Sequence, residues 1–392
     1  MEFDVFWLLS LPLFFALGWL AARHESRTKT ARPTLPDAYF RGLNFLLNDQ
    51  SDRAVDAFVD VVRIDPETIE LHFALGKLFR RRGETDRAIR VHQNLLDRTD
   101  LEPHIREQAL FELAQDFLKA GLFDRADQAF ERLATGSFAE RAVRHRIEIA
   151  ETMRDWARAI DLSERVDEAD RTEADRIRVA HFHCELAARA LGGPEPNRFS
   201  VVEHHLASAE RQNGQHPRVI MLRGDLALAR RETAHAIEIW RALLSIAPAH
   251  FNLVAARWVA AHRDSGGIEQ AIETLDRHGS KYPSAELFLQ GFAARLEQGQ
   301  GPAAADWAAE VLGRSPSLAG LARLLRWRID QPANASSQEL RLSERLIAEQ
   351  AQVQSRHVCG QCGFRARQYF WQCPGCGRWD SVSPLRAEDP NQ

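Results

Sequence analysis

Lysine is nearly missing from this chain. Only 4 of its 51 basic residues are lysine and the rest are arginine, which reads as genome composition bias and carries no functional signal. A basic excess is lacking too: the net charge is −4, so nothing in the overall balance points to a polyanion as partner. Tyrosine is down to 3 residues while Ala, Leu, Arg and Glu abound, the usage of a helical protein. Catalytic signatures are absent as well. There is no phosphate-binding loop (Gly76-Lys77 comes near, but Leu78 follows), no Gly-x-Ser-x-Gly elbow and no His-Glu-x-x-His. Carboxylate pairs such as Asp60 and Asp65 fall in ordinary amphipathic stretches, and an enzyme is not expected. Cysteine is sparse at 5 residues, which suits a reducing compartment.

Charge-free stretches are equally rare, and one stands out. Val5 to Ala22 is an 18-residue run without a charge. As a helix it would span roughly 27 Å, about one hydrocarbon core. Trp7 and Trp19 lie near its two ends, where aromatic rings favour the interface. Glu2 and Asp4 precede it and Arg23, Arg27, Lys29 and Arg32 follow it. An acidic start and no small-x-small cleavage site disfavour a signal peptide. The expectation is an uncleaved anchor over 1–22 with the N-terminus outside and everything after Ala22 facing the cytoplasm. A short polar linker, 23–35, comes next.

From Leu35 onward the chain repeats itself at about 34 residues, the period of the tetratricopeptide helix–turn–helix unit. Gly42, Phe45, Ala54 and Phe58 are followed 34 residues later by Gly76, Phe79, Ala88 and His92. Leu113, Ala114, Phe117, Gly121, Ala126 and Phe130 form the third unit, and Trp156, Ala159 and Ile160 mark a degenerate fourth. A fifth is interrupted at 192–196 and ends near Pro217. Gly224, Ala236 and Trp240, then Ala271 and Leu275, then Ala304 and Ala308 carry the sixth to eighth. Small residues let the two helices of a unit approach, and the aromatic after the second small residue packs on the next unit. The fold class is therefore all-α, a solenoid over 36–336 in about eight repeats. Further helices are expected from Leu318 to Ile329 and over 337–354, the second a connecting helix. Cys184, in His181-Phe-His-Cys184, is expected to be helix packing and not a second metal site, and His204-His205 to lie on a solvated face.

Four of the five cysteines sit near the end. Cys359 and Cys362 form one Cys-x-x-Cys pair and Cys373 and Cys376 another, ten residues apart, each followed by a glycine, Gly363 and Gly377. Two such knuckles wrap one tetrahedral ion, both thiolates of a pair facing it while the glycine turns the backbone beneath. Two disulfides would need an oxidising compartment, and a thioredoxin-like pair would need a βαβ pattern that does not precede it. A module of about this size, 355–385, buries too little to fold unaided, so an ion would have to supply the folding energy, on the order of 10 kcal/mol. Zinc and iron both suit four thiolates, and iron would open redox chemistry. Residues 386–392 are a polar tail. Arg356, Arg365, Arg367 and Arg378 with Phe364, Tyr369, Phe370, Trp371 and Trp379 could in principle serve a nucleic acid. The preferred reading is that these aromatics cover the metal site and dock it on the last helices.

Anchor, repeat array and terminal four-cysteine module in this order resemble lipopolysaccharide assembly protein B of Gram-negative bacteria. The resemblance covers essentially the whole chain. It is carried by Phe3–Ala22, by Pro36-Asp-Ala-Tyr-Phe-Arg-Gly-Leu-Asn44, and by the Cys-Gly-Gln-Cys-Gly-Phe and Cys-Pro-Gly-Cys-Gly-Arg-Trp motifs. The ribbon alone also resembles the rubredoxin-type module of a bacterial DNA-repair ATPase family, but that family carries a phosphate loop and this chain does not. The first resemblance implies a non-enzymatic inner-membrane adaptor facing the cytoplasm. It would act with the membrane protease FtsH to promote proteolysis of the LpxC deacetylase, and a second inner-membrane protein would relieve it. It further implies contact with other lipopolysaccharide assembly proteins, expects no nucleic acid, and allows a homo-oligomer.

Overall fold

A hairpin of two short helices has an apolar stripe on each helix and too little mass for a core, so it becomes stable only when stacked on its neighbours. The computed structural model describes residues 69–332, 337–353 and 357–385, with residues 15, 16, 19, 41, 44, 45 and 53 besides. Over that span the chain is a succession of such hairpins closed by a small ribbon. The expected anchor and first repeat lie outside the described residues, save for those few. Among the described residues no helix is long and apolar enough to cross a membrane.

The hairpins are α1 (Ile69–Arg81) with α2 (Thr85–Leu96) and α3 (Pro103–Lys119) with α4 (Phe123–Glu131), and α5 (Ala139–Thr152) and α6 (Trp156–Glu164) follow in the chain. Then come α7 (Glu173–Leu191) with α8 (Arg198–Gln212) and α9 (Pro217–Ala229) with α10 (Thr233–Arg241). The short α11 (Leu243–Ile246) and a 3-10 turn, Pro248–Leu253, lead to α12 (Ala255–Asp264), which pairs with α13 (Ile268–Gly279). The last pairs are α14 (Ala285–Glu297) with α15 (Gly301–Arg314), and α16 (Leu318–Ile329) with α17 (Gln338–Val353).

Local chemistry marks where each helix begins and turns. Pro103 and Pro217 stand at the first position of α3 and α9, where the missing N–H costs nothing. Pro217 thus opens the next unit; α8 already ends at Gln212. Thr172 and Asp175 form a reciprocal capping box at the start of α7. Ser284 and Ser317 accept the N–H groups of Leu287 and Gly320 to cap α14 and α16. The tight turn inside a hairpin needs a left-handed residue. Gly83, Gly121, Gly266 and Gly299 supply it with φ of 73–78°, and Arg154 and Arg231 hold the same place at 58° and 66°.

The chain forms two compact units, Met1–Ile149 and Ala150–Gln392. In the first, Phe111 and Phe130 are fully buried and meet edge to face at 5.6 Å. His92, which takes an aromatic position of the repeat, is also fully buried. Its Nδ1 lies 2.5 Å from Asp116, whose other oxygen accepts from Arg80 at 2.7 Å; Arg80 also pairs with Glu112 at 2.6 Å. A polar residue in a core position is thus accommodated by recruiting a carboxylate from the next hairpin. In the second unit, Trp240, Phe251, Trp258, Ala236 and Ala271 build the largest apolar cluster. α16 and α17 form a further hairpin, tied by Arg326 to Glu344 at 2.8 Å.

Close approach of paired helices rests on single glycines. A Cβ at Gly224 would lie 2.2 Å from Nε1 of the fully buried Trp240, whose N–H donates to the Met221 carbonyl at 3.1 Å. Gly224→Ala is expected to gain a little helix propensity and lose more to the clash. The net cost should be about 1–3 kcal/mol, read as a lower urea midpoint for the second unit.

Candidate metal centre

The ribbon is built by one backbone device used twice. In the first knuckle Gly363 N–H donates to Cys359 O at 3.0 Å and Cys359 N–H to Phe364 O at 2.9 Å. In the second, Gly377 N–H donates to Cys373 O and Cys373 N–H to Arg378 O, each at 2.9 Å. Both trailing glycines are left-handed, with φ of 73° and 71°. Strand β1 (His357–Val358) pairs antiparallel with β2 (Arg365–Ala366), His357 opposite Ala366. Bridges between Cys359 and Val382 and between Gln372 and Trp379 close the module. Among the described residues its apolar cluster is Cys359, Cys373 and Val382 with Tyr369 and Phe370 against them, and Ala366 of β2 is buried besides.

These turns bring the four sulfurs within 4.8 Å of one another. Cys359 Sγ is 3.8 Å from Cys376 Sγ, and Cys362 Sγ is 3.6 Å from Cys373 Sγ. Sulfurs at about 2.3 Å from a tetrahedral centre stand roughly 3.8 Å apart, whereas a disulfide needs about 2.05 Å. All five cysteines are free thiols, and the cluster has the spacing that one ion would require. Amide N–H groups of Gln361 and Gly375 point at the inner sulfurs of Cys359 and Cys373, each at 3.4 Å. Such donors favour thiolate over thiol. Ser381, whose hydroxyl oxygen lies 3.3 Å from Cys359 Sγ, and the amides of the knuckle hold the Cys359 thiol down to about 6. Cys359 and Cys373 are buried while Cys362 and Cys376 face solvent.

Among the described residues the ribbon's aromatic and polar contacts to the repeats lie on elements well before the last helices, a correction to the expectation from chain order. Its tryptophans face helices far earlier in the sequence. Trp379 stacks on His181 of α7 at 4.2 Å and 17°, and meets Trp156 edge on at 6.0 Å. Its indole N–H donates to Glu151 of α5, which also accepts from Gln372 at 2.9 Å. Trp371 stacks on His250 at 5.5 Å and 3°, and packs against the large cluster of the second unit. Asn252 donates to the Pro384 carbonyl at 3.4 Å. Between the two tryptophans Asp380 reaches His181 Nε2 at 2.9 Å and His216 Nε2 at 3.1 Å. With Tyr369, whose ring meets His250 edge on at 6.3 Å, three of the five ribbon aromatics singled out in the sequence face the repeats, and Phe364 stays exposed.

The expectation of plain helix packing holds for Cys184, which is fully buried and whose thiol burial pushes up to about 12. His181 beside it does more than pack. His204 is exposed as expected, but His205 turns inward, its Nδ1 3.2 Å from Nδ1 of His183. Sequence reading passed over Asp380, His216 and His250 altogether. The only hint available was the crowding of histidines at 181, 183, 204, 205 and 216.

Residues 357–384 match the model of a rubredoxin metal binding domain, and residues 71–106 match a tetratricopeptide repeat. Lipopolysaccharide assembly protein B of Escherichia coli strain K12 is 30% identical over 386 residues, spanning 97% of this chain and 98% of that protein. The protein of the same name from Haemophilus influenzae is 28% identical over 400 residues, spanning 98% of each. Among solved structures, a tetratricopeptide repeat protein from Parabacteroides merdae covers 75% of this chain at 13% identity and a TM-score of 0.35.

Burial keeps several histidines of the second unit neutral. It lowers His181 and His183 to about 4, and lowers His250, His262 and His278 as well. For each, the unfolded chain binds a proton near pH 6.5 that the folded chain refuses. This stability is complete above about pH 6.5 and is lost as pH falls below it, for His181 and His183 down through about 4. Urea midpoints measured from pH 7.5 to 4.5 should fall steadily below pH 6.5, and a flat profile over that range would contradict the assignment.

Proposed function

The chain belongs to the lipopolysaccharide assembly protein B family, and we propose from that premise that it is a non-enzymatic adaptor in lipopolysaccharide assembly. Agreement with the Escherichia coli protein along nearly the whole of both chains is the observation that carries this reading. The repeats are the protein-binding part, since stacked helical hairpins offer extended surfaces for partner chains. Residues 1–22 anchor the chain in the inner membrane, 36–336 hold partners on the cytoplasmic side, and 355–385 form the metal module. Confinement to the membrane plane raises the adaptor's effective concentration near a membrane protease. The partners are FtsH and LpxC: the adaptor presents the deacetylase for proteolysis, and a regulatory inner-membrane protein withdraws it.

Cys359, Cys362, Cys373 and Cys376 hold one zinc or iron ion. The donor set fits, with four sulfurs within 4.8 Å of one another, two pairs of them at 3.8 and 3.6 Å, and amide N–H groups directed at the two inner ones. Bound there, the ion supplies cross-links that an apolar cluster of three buried residues does not. An all-sulfur set also favours a second reading, a mono-iron redox or sensing centre. Colour separates the two metals, because protein purified in air with iron is red and with zinc colourless.

Cys376→Ser is expected to drop the metal content of the purified chain from about one ion to a small fraction and to expose the ribbon to protease. A variant with full metal content would show that the ligand assignment is wrong. Depleting the protein in cells should lengthen the half-life of LpxC and raise lipopolysaccharide. An unchanged LpxC half-life would remove the FtsH and LpxC part of the proposal while leaving family membership intact.

A further inference from the structure

His181, His216 and Asp380 place three ligand-type atoms within 4.8 Å, which at first suggests a second metal site. The protons argue otherwise. His216 Nδ1 accepts from the Arg218 backbone N–H at 3.3 Å, and His181 Nδ1 accepts from the Arg218 guanidinium at 3.3 Å. The δ nitrogen of each ring is therefore the lone-pair side, and the hydrogen of each neutral imidazole sits on the ε nitrogen. Both ε nitrogens face the same oxygen of Asp380. A metal ligand would have to present a lone pair there, and these rings present two N–H donors. The Arg218 guanidinium, itself paired with Glu185, stands behind the His181 ring, and its backbone N–H behind the His216 ring. The arrangement is built for an anion.

It is also rigidly built. His181 is fully buried, and His216 and Arg218 are 5% and 7% exposed. Arg218 is held by Glu185 at 2.7 Å and lies under the faces of Trp371 and Trp379 at 5.6 and 6.0 Å. On the ribbon side Asp380 is left-handed, with φ of 51°, and its N–H donates to the Trp371 carbonyl at 2.8 Å. That backbone turn aims the carboxylate away from the cysteines and towards the repeats. Burial alone would raise Asp380, but the hydrogen bonds from His181 and His216 outweigh it and hold the carboxyl well below the usual range.

We propose that His181, His216 and Arg218 form a carboxylate receptor in the repeats, and that Asp380 fills it as the latch that registers the ribbon on the array. The ion shapes the ribbon, and a single carboxylate places it. The two roles are separable, so this inference does not depend on which partners the adaptor serves.

The test uses the full chain. Asp380→Ala should keep its metal content, while backbone hydrogen exchange at 369–383 and at the start of α9 speeds up by about tenfold or more, the size expected for losing charge-assisted bonds. Sodium acetate added to this variant should slow exchange again, and sodium chloride at the same ionic strength should not. Asp380→Asn, which fills the receptor with a neutral amide, should also exchange faster but gain nothing from acetate. An Asp380→Ala chain that exchanges like the parent, loses its metal, or responds equally to acetate and chloride would overturn the proposal.

Discussion

Stacking is the constraint on which the whole molecule depends. Within each compact unit, among the described residues, neighbouring hairpins cover one another's apolar stripes. Trp240 shows the geometry at its tightest, lying where Gly224 has no side chain and donating its N–H to the Met221 carbonyl. Gly76 and His92 repeat the arrangement in the first unit with a polar ring. Because the contact is a helix-to-helix approach, its partners can change as long as one side stays small. A histidine is admitted once a carboxylate, Asp116, arrives to bond it.

The same constraint governs the ribbon. An apolar cluster of three buried residues is too small to stand alone, and the module finds its remaining support in two ways. Inward, four sulfurs are gathered at the spacing of one ion. Outward, Trp371 and Trp379 lie on histidines of the repeats, with Asp380 between them. Neutral histidine suits this interface because it is at once a flat surface for stacking and a directed N–H donor. Burial keeps it neutral, and that neutrality ties the second unit to near-neutral pH.

Much of this is legible in the sequence. Gly76, Ala88, Gly224, Ala236 and Trp240 were readable as packing positions because helix pairing recurs at a fixed period and demands small residues at fixed places. The helix Leu318–Ile329 was placed to the residue. Elsewhere the signal was thinner. Arg154 and Arg231 hide the turns that glycine marks in other units, since they take the left-handed conformation without the residue that advertises it. The unit boundary near Pro217 is where the spacing puts it, while the place of Pro217 at the first position of α9 is not marked, because a proline is compatible with either side of a helix break.

By itself the sequence determined the helical period, the all-α class and the grouping of Cys359, Cys362, Cys373 and Cys376. Each of those signals is carried by neighbours within about one repeat, where chain spacing alone dictates geometry. Only the tertiary structure decided where the ribbon rests and which nitrogen of His181 and His216 bears the proton. Asp380 meets those rings across 199 and 164 residues of chain, and Trp379 meets Glu151 across 228. At such separations a contact is set by how the intervening hairpins stack, and no local pattern in the chain records it.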